Sequence, residues 1–196
     1  MITVLYFGSF NPVHNGHIAI ANYIASLPEI EELWFVVSPL SPFKKNNKNL
    51  IDVSFRIKML ELAVKEHPLL KVSDVELHLP QPSYTIDTLE SLSGQYEDKS
   101  FALLMGLDSF KYLDMWKSYQ KIISSYIIYV YPRAQESRLT HADIPFIQTS
   151  NIVLLDAPFY TVSSTEIRDK LRNEKDTGND LPKSVLGYIQ KEKLYR

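Results

Sequence analysis

Two histidines, His14 and His17, stand three residues apart in the segment Gly8-Ser9-Phe10-Asn11-Pro12-Val13-His14-Asn15-Gly16-His17, which follows the apolar run Ile2–Phe7 and leads into a helix-like stretch from Ile18. A strand that ends in a Gly-containing turn and passes into a helix aims backbone N–H groups and the positive end of the helix dipole at one spot, and phosphate suits that spot. If the helix begins near Val13, both imidazoles project from one side of its first turn toward the anion, and Gly16 puts no side chain between them. The Gly turn alone recurs across α/β proteins and is weakly specific. The paired histidines carry more, because core histidines are usually single. Zinc also uses paired histidines, but the chain has no Cys, and His67, His78 and His141 are scattered without ligand-type spacing, so phosphate ranks above zinc.

The elements that must position these residues are read from periodicity. Strands are predicted at Ile2–Phe7, Leu33–Ser38, Lys71–Val75, Phe101–Met105, Tyr126–Tyr131 and Asn151–Leu155, and helices at Ile18–Ser26, Val53–Glu66, Thr85–Tyr96, Ser109–Trp116, Thr165–Arg172 and Leu181–Lys191. Strands alternating with helices imply an α/β fold, a Rossmann-like parallel sheet with helices on both faces, as a single domain over residues 1–196. Ligands in such sheets bind beyond the carboxyl ends of the strands, which directs attention to Gly8, Ser38, Gly106 and Pro132. The polar segments Lys44–Asn49 and Asn173–Asp180 read as mobile surface loops, the first basic enough to close over a triphosphate.

Further segments carry chemistry-bearing residues. Ser163-Ser164-Thr165-Glu166-Ile167-Arg168 follows the last strand and opens a helix, with Ser163 or Ser164 as the N-cap. Gly106-Leu107-Asp108-Ser109 follows a buried strand, where an Asp is often only a helix cap. Arg133 follows the Tyr126–Pro132 run, Lys44 and Lys45 sit in a basic run, and Arg56 is spaced so that a structural ion pair would also explain it. Tyr84 and Trp116, taken alone, read as ordinary core or rim aromatics.

The first window resembles the Gly-x-Phe-Asp-Pro-x-His-x-Gly-His signature of the nucleotidylyltransferase superfamily, with Asn11 where that signature usually has Asp, and the side chain is expected to cap the turn in either form. Val162 to Arg168 resembles the superfamily's second signature, Ile-Ser-x-Thr-x-Ile-Arg. Pro82-Ser83-Tyr84-Thr85-Ile86-Asp87-Thr88-Leu89 is similar to an element of the nicotinate mononucleotide adenylyltransferases, as are Gly106 to Ser109 and Ser41-Pro42-Phe43-Lys44, the last with Phe43 in place of His. These likenesses imply an enzyme that transfers the adenylyl group of ATP to nicotinate mononucleotide, a step toward NAD. They imply catalytic roles for His14, His17 and Arg168, and an ATP site of Gly8, Ser9, Phe10, His14, Gly16, His17, Lys44, Gly106, Asp108, Arg133, Ser163, Ser164, Thr165 and Arg168. Lys44, Tyr84, Thr85 and Trp116 would bind nicotinate mononucleotide. Mg²⁺ would arrive with ATP and be held through the phosphates, with Asp108 the one carboxylate suggested near it. Rival readings are an adenylyltransferase for phosphopantetheine, a cytidylyltransferase, and a nucleotide sensor without turnover. Neither of the first two explains the Pro82–Leu89 element, and intact His14, His17 and Arg168 argue against the third.

Composition sets outer bounds. The chain of 196 residues has 45% hydrophobic and 22% charged residues, enough for a well-buried globular core. It has no run approaching the roughly 20 apolar residues of a membrane span and no basic, cleavable leader, which predicts a cytoplasmic protein with no membrane partner. A net charge of −2 argues against a broad nucleic-acid surface. A homo-oligomer is allowed, but the sequence does not set its order.

Overall fold

The runs Ile2–Phe7 and Leu33–Val37 are apolar without alternation because both faces of their strands are covered. The computed structural model describes residues 1–39, 49–132, 150–157 and 160–196. Its elements are β1 (Ile2–Gly8), α1 (Asn15–Ala25), β2 (Ile30–Val37), α2 (Val53–Val64), β3 (Leu70–Ser73), α3 (Thr85–Gln95), β4 (Ser100–Gly106), α4 (Leu107–Phe110), α5 (Tyr119–Ser125), β5 (Ile127–Tyr131), β6 (Ile152–Leu154), α6 (Ser164–Arg172) and α7 (Lys183–Lys191). The described strands form one sheet in the order β3-β2-β1-β4-β5-β6, every neighbouring pair parallel.

Strand alternation sorts the core onto two faces. Val4, Tyr6, Leu33, Phe35, Ala102 and Leu104 pack with Ile20 and Ile24 of α1, Met59 and Leu60 of α2, and Val185 and Ile189 of α7. On the opposite face, Leu5, Trp34 and Val36 meet Leu89 and Leu92 of α3, while Leu103, Met105 and Val130 meet Phe110 of α4 and Ile122 and Ile123 of α5. Each such side chain, once buried, contributes about 1.5–3 kcal/mol. Winding reverses between β1 and β4, so the carboxyl ends at Gly8 and Gly106 flank the crevice expected of a doubly wound sheet. Among the described residues no helix is long and apolar enough to cross a membrane.

Three expectations are corrected. The helix predicted over Ser109–Trp116 is the single turn α4 and a 3₁₀ turn at Leu113–Met115, followed after a break by α5. The break falls at Trp116, which is extended, and Ser118, whose φ of 52° is left-handed and cannot continue a right-handed helix. The predicted strand Lys71–Val75 is shifted to Leu70–Ser73, because Val75–Leu77 curls into a 3₁₀ turn. The segment Asn173–Asp180 is tied down rather than loose. The Asn15 backbone N–H and Nδ2 donate to the carbonyls of Asp180 and Asn179 at 2.8 and 2.6 Å, Lys170 pairs with Asp180 at 2.6 Å, and Thr177 is buried.

Among the described residues Arg56 makes no structural ion pair. Fully buried, its guanidinium donates to the carbonyls of Ser9 and Ser38 at 2.8 Å each and of Ile51 and Pro39 at 3.2 Å each, binding the segments that leave β1 and β2. Burial holds its pKa below the usual guanidinium range. Since each buried carbonyl left without a donor costs about 1–3 kcal/mol, Arg56→Met is expected to lower the unfolding free energy by at least about 2 kcal/mol in urea titration, and an unchanged midpoint would refute this role.

Candidate active site

The first turn of α1 is built from the two histidines themselves. The helix starts at Asn15, not near Val13, with His14 as its extended N-cap. Nδ1 of His14 accepts the N–H of His17, and Nδ1 of His17 accepts the N–H of His14, each at 3.3 Å, a reciprocal capping box made of imidazoles. The rings stack with centroids 3.6 Å apart. A ring nitrogen that accepts an N–H cannot carry a proton, so the neutral rings hold theirs on Nε2, and each ring can offer a donor to the cavity it lines.

The glycines and Phe10 make room for this. A Cβ on Gly16 would come within 3.1 Å of the His14 ring. One on Gly8 would lie 2.8 Å from the Phe10 ring, which cannot retreat because it packs edge-on against Tyr6, Phe35 and His17. Phe10, with φ at 46°, is held in the left-handed region that a non-glycine residue rarely adopts. It therefore stands behind His17 as a brace.

The far end of the chain supplies the opposing wall. Ser163 is the N-cap of α6, its hydroxyl accepting the Glu166 N–H at 3.2 Å. Ser164 Oγ donates to the Pro12 carbonyl at 2.9 Å. Arg168 donates through Nη1 to the Asn11 carbonyl at 2.8 Å and through Nη2 to Thr165 Oγ1 at 3.1 Å, while its buried Nε has no partner among the described residues. Partial burial lowers the Arg168 pKa. His14, Gly16, His17, Ser163, Ser164, Thr165 and Arg168 thus line one cavity of about 620 Å³, together with Gly8, Ser9 and Asp108. The Asn11 side chain does not cap the turn as expected; it is spent on Asn49 and Tyr195. Gly106, expected at the nucleotide, is instead the N-cap of α4 and leaves Asp108 and Ser109 to face the crevice.

A second cavity of about 570 Å³ adjoins the first, sharing Phe7, Gly8, Ser9, Asp108 and Ser109. Its walls are mostly apolar, with Trp116, Tyr112 and Met115 on one side and Tyr84 and Thr85 at the start of α3 on the other. No side chain caps that helix start, so its first N–H groups and positive dipole end suit a carboxylate. Asp87, an acid two residues into α3, is paired with Lys117 through both oxygens at 2.7 and 2.8 Å, and Lys117 Nζ lies 5.0 Å from the centre of the Tyr84 ring. The expected Lys44 and Arg133 lie outside the described residues.

Two charged lining residues, Lys117 and Glu76, were missed in the sequence. Lys117 had a signal, since it directly follows Trp116. Glu76 had little, because it sits among apolar neighbours outside any motif. Its carboxyl is buried, accepts from Thr88 Oγ1 at 3.1 Å and lines the apolar cavity. Burial raises its pKa, opposed by the hydroxyls of Ser38, Thr88 and Ser83, although the Ser83 hydroxyl makes no hydrogen bond of ordinary geometry.

This fold, with its crevice at the switch point, defines an α/β protein of the doubly wound type. The chain belongs to the cytidylyltransferase-like family, which it matches over residues 5–170. A protein of Flavobacterium psychrophilum named a probable nicotinate-nucleotide adenylyltransferase is 40% identical over 192 residues, covering 98% of this chain and 97% of its own. A protein of the same name from Bacteroides fragilis is 40% identical over 89% of this chain and 84% of its own. A solved structure of Plasmodium falciparum nicotinic acid mononucleotide adenylyltransferase complexed with NaAD shares the fold, with a TM-score of 0.83 at 21% identity over 100% of this chain and 98% of that one.

Glu76 gives a pH test of its burial. A carboxyl whose pKa is raised on folding favours the native state at low pH and costs stability as pH rises through the folded pKa. Glu76→Gln keeps an acceptor for Thr88 and removes the charge, so the variant's melting temperature is expected to exceed the wild type's at pH 8, with the gap closing toward pH 4. A gap independent of pH would contradict it.

Proposed function

We propose that this chain transfers the adenylyl group of ATP to nicotinate mononucleotide, giving nicotinate adenine dinucleotide and pyrophosphate in NAD biosynthesis, with residues 1–196 acting as one domain. The observation that carries this reading is the pair of cavities meeting at the switch point. One is walled by a histidine pair, a helix start and an arginine, and the other by Trp116 and an uncapped helix start. Triphosphate fits the first. A pyridinium ring bearing a carboxylate fits the second, since an indole face attracts a cation and N–H groups attract an anion.

The acceptor phosphate is already an anionic nucleophile, so no general base is required. One of its oxygens attacks the α-phosphorus of ATP in line, the bond from that phosphorus to the bridging oxygen breaks, and pyrophosphate leaves. His14 and His17, with protons on Nε2, donate to oxygens of the reacting phosphate, and the start of α6 with Arg168 holds the departing pyrophosphate. Lys44 is assigned to the same phosphates from the sequence alone. Among the described residues no group of three or more His, Asp or Glu could cage a metal, whereas Asp108 borders both cavities. Mg²⁺ bound to the triphosphate would therefore use Asp108 as its protein contact, and it would supply charge neutralisation.

Two outcomes test this reading. His17→Ala removes a transition-state donor and is expected to lower kcat by about 10²–10³-fold in a pyrophosphate-release assay, with the fold retained by circular dichroism. Near-wild-type turnover would take His17 out of the mechanism. The second is acceptor choice. The first N–H groups of α3, from Thr85 onward, favour a carboxylate, Lys117 offsets the neighbouring Asp87, and an amide NH₂ facing those donors would stay unpaired, so kcat/KM is expected to favour nicotinate over nicotinamide mononucleotide by at least about 10-fold. A ratio near one would remove the carboxylate site while leaving adenylyl transfer standing.

A further inference from the structure

Tyr195 lies 184 residues from Asn11 in sequence, yet its hydroxyl donates to Asn11 Oδ1 at 2.8 Å. To reach there the chain places both Lys193 and Tyr195 in the left-handed region, at φ of 55° and 65°, a conformation that non-glycine residues rarely adopt. Tyr195 is 7% exposed and Asn11 4%. Burial raises the phenol's pKa, so it stays a donor at neutral pH.

The Asn11 amide is held at both ends. Its oxygen takes the Tyr195 hydroxyl, and its nitrogen donates to the Asn49 carbonyl at 2.8 Å. Those two bonds orient the residue whose backbone carbonyl receives Arg168 Nη1 at 2.8 Å. An Asp at this position would still accept from Tyr195 but would set an acceptor against the Asn49 carbonyl, so the amide suits this clamp better than the acid.

We infer that Tyr195 is a positioning residue for the nucleotide: through Asn11 it holds the Arg168 guanidinium where the triphosphate binds. This rests on the polar cavity being the ATP site. Because the Tyr195 ring packs within the core on the α1, α2 and α7 side of the sheet, Tyr195→Phe keeps the packing and deletes only the hydroxyl.

The experiment is ATP titration by calorimetry, joined to KM values for ATP and nicotinate mononucleotide and to melting temperatures, on wild type, Tyr195→Phe, Asn11→Ala and the double variant. The expected result for Tyr195→Phe is a rise of about 3- to 10-fold in Kd and KM for ATP, with the acceptor KM unchanged and the melting temperature lowered by no more than a few degrees, since one buried acceptor loses its donor. The double variant should bind ATP no more weakly than Asn11→Ala alone, since the hydroxyl acts through Asn11. Unchanged ATP affinity in Tyr195→Phe, additive losses in the double variant, or a parallel fall in stability and both affinities would overturn the positioning role. Wild-type protein that binds no ATP would sink the functional reading, and this role with it. Wild type that binds ATP no better than Tyr195→Phe would sink this role alone.

Discussion

The active crevice depends on two carbonyl oxygens, those of Asn11 and Pro12. They receive Arg168 Nη1 and Ser164 Oγ across sequence separations of 157 and 152 residues, and so seat α6 against the turn that leaves β1. Apolar burial cannot do this alone. Ile167 is the only fully buried residue of α6, contributing about 1.5–3 kcal/mol, whereas a hydrogen bond from a charged donor contributes about 1.5–3 kcal/mol by itself. Polar contacts therefore weigh as much as apolar burial in seating this helix, and they act from within the site: Ser164 and Arg168, which hold the wall, also line the cavity. Arg56 does the comparable work one layer below, tying the carbonyls of Ser9 and Ser38 so that the turn keeps its course.

The division of the crevice into a polar and an apolar half follows from which elements supply each wall. On the α1 and α6 side the chain presents helix starts and hydroxyls, because short polar segments lead into both helices. On the α3 to α5 side, the broken helix after β4 exposes Tyr112 and Met115 and turns Trp116 into the cavity it lines. A continuous helix over those residues would have carried these side chains around its axis. The left-handed Ser118 ends that regularity and keeps them together. Charge follows the same split, with Lys117 neutralising Asp87 beside the apolar cavity.

Much of this was legible in the sequence. The six strands, their parallel arrangement and the crevice at Gly8 followed from unalternating apolar runs separated by helical periodicity, a signal produced by burial on both faces. Residues of the two segments Gly8 to His17 and Ser163 to Arg168 line one cavity, because both segments lie at element starts where local chemistry sets the backbone. What escaped is non-local. Glu76 has no neighbour in sequence that marks it, since its partner Thr88 and the cavity it lines are brought to it by α3. Asn11 looked like a turn cap because short-range rules favour that role, but burial beside Tyr195 and Asn49 offered better partners. The break at Ser118 needs a left-handed serine, which no propensity foretells.

The histidine pair shows how one spacing can serve two ends. A capping box requires the N-cap and N3 positions, which are three residues apart, and two groups on the first turn facing one anion require the same interval. Here both demands fall on His14 and His17. The rings divide their nitrogens accordingly, Nδ1 satisfying N–H groups that would otherwise be orphaned at the start of α1, and Nε2 left with the proton. The helix thus fixes the tautomer, and the ring stack fixes the spacing between the two rings. Ser and Glu, the usual pair for such a box, would cap the helix equally well and present no N–H to the cavity. The choice of imidazole at both positions is therefore not explained by the helix. It suits the polar cavity that both rings line.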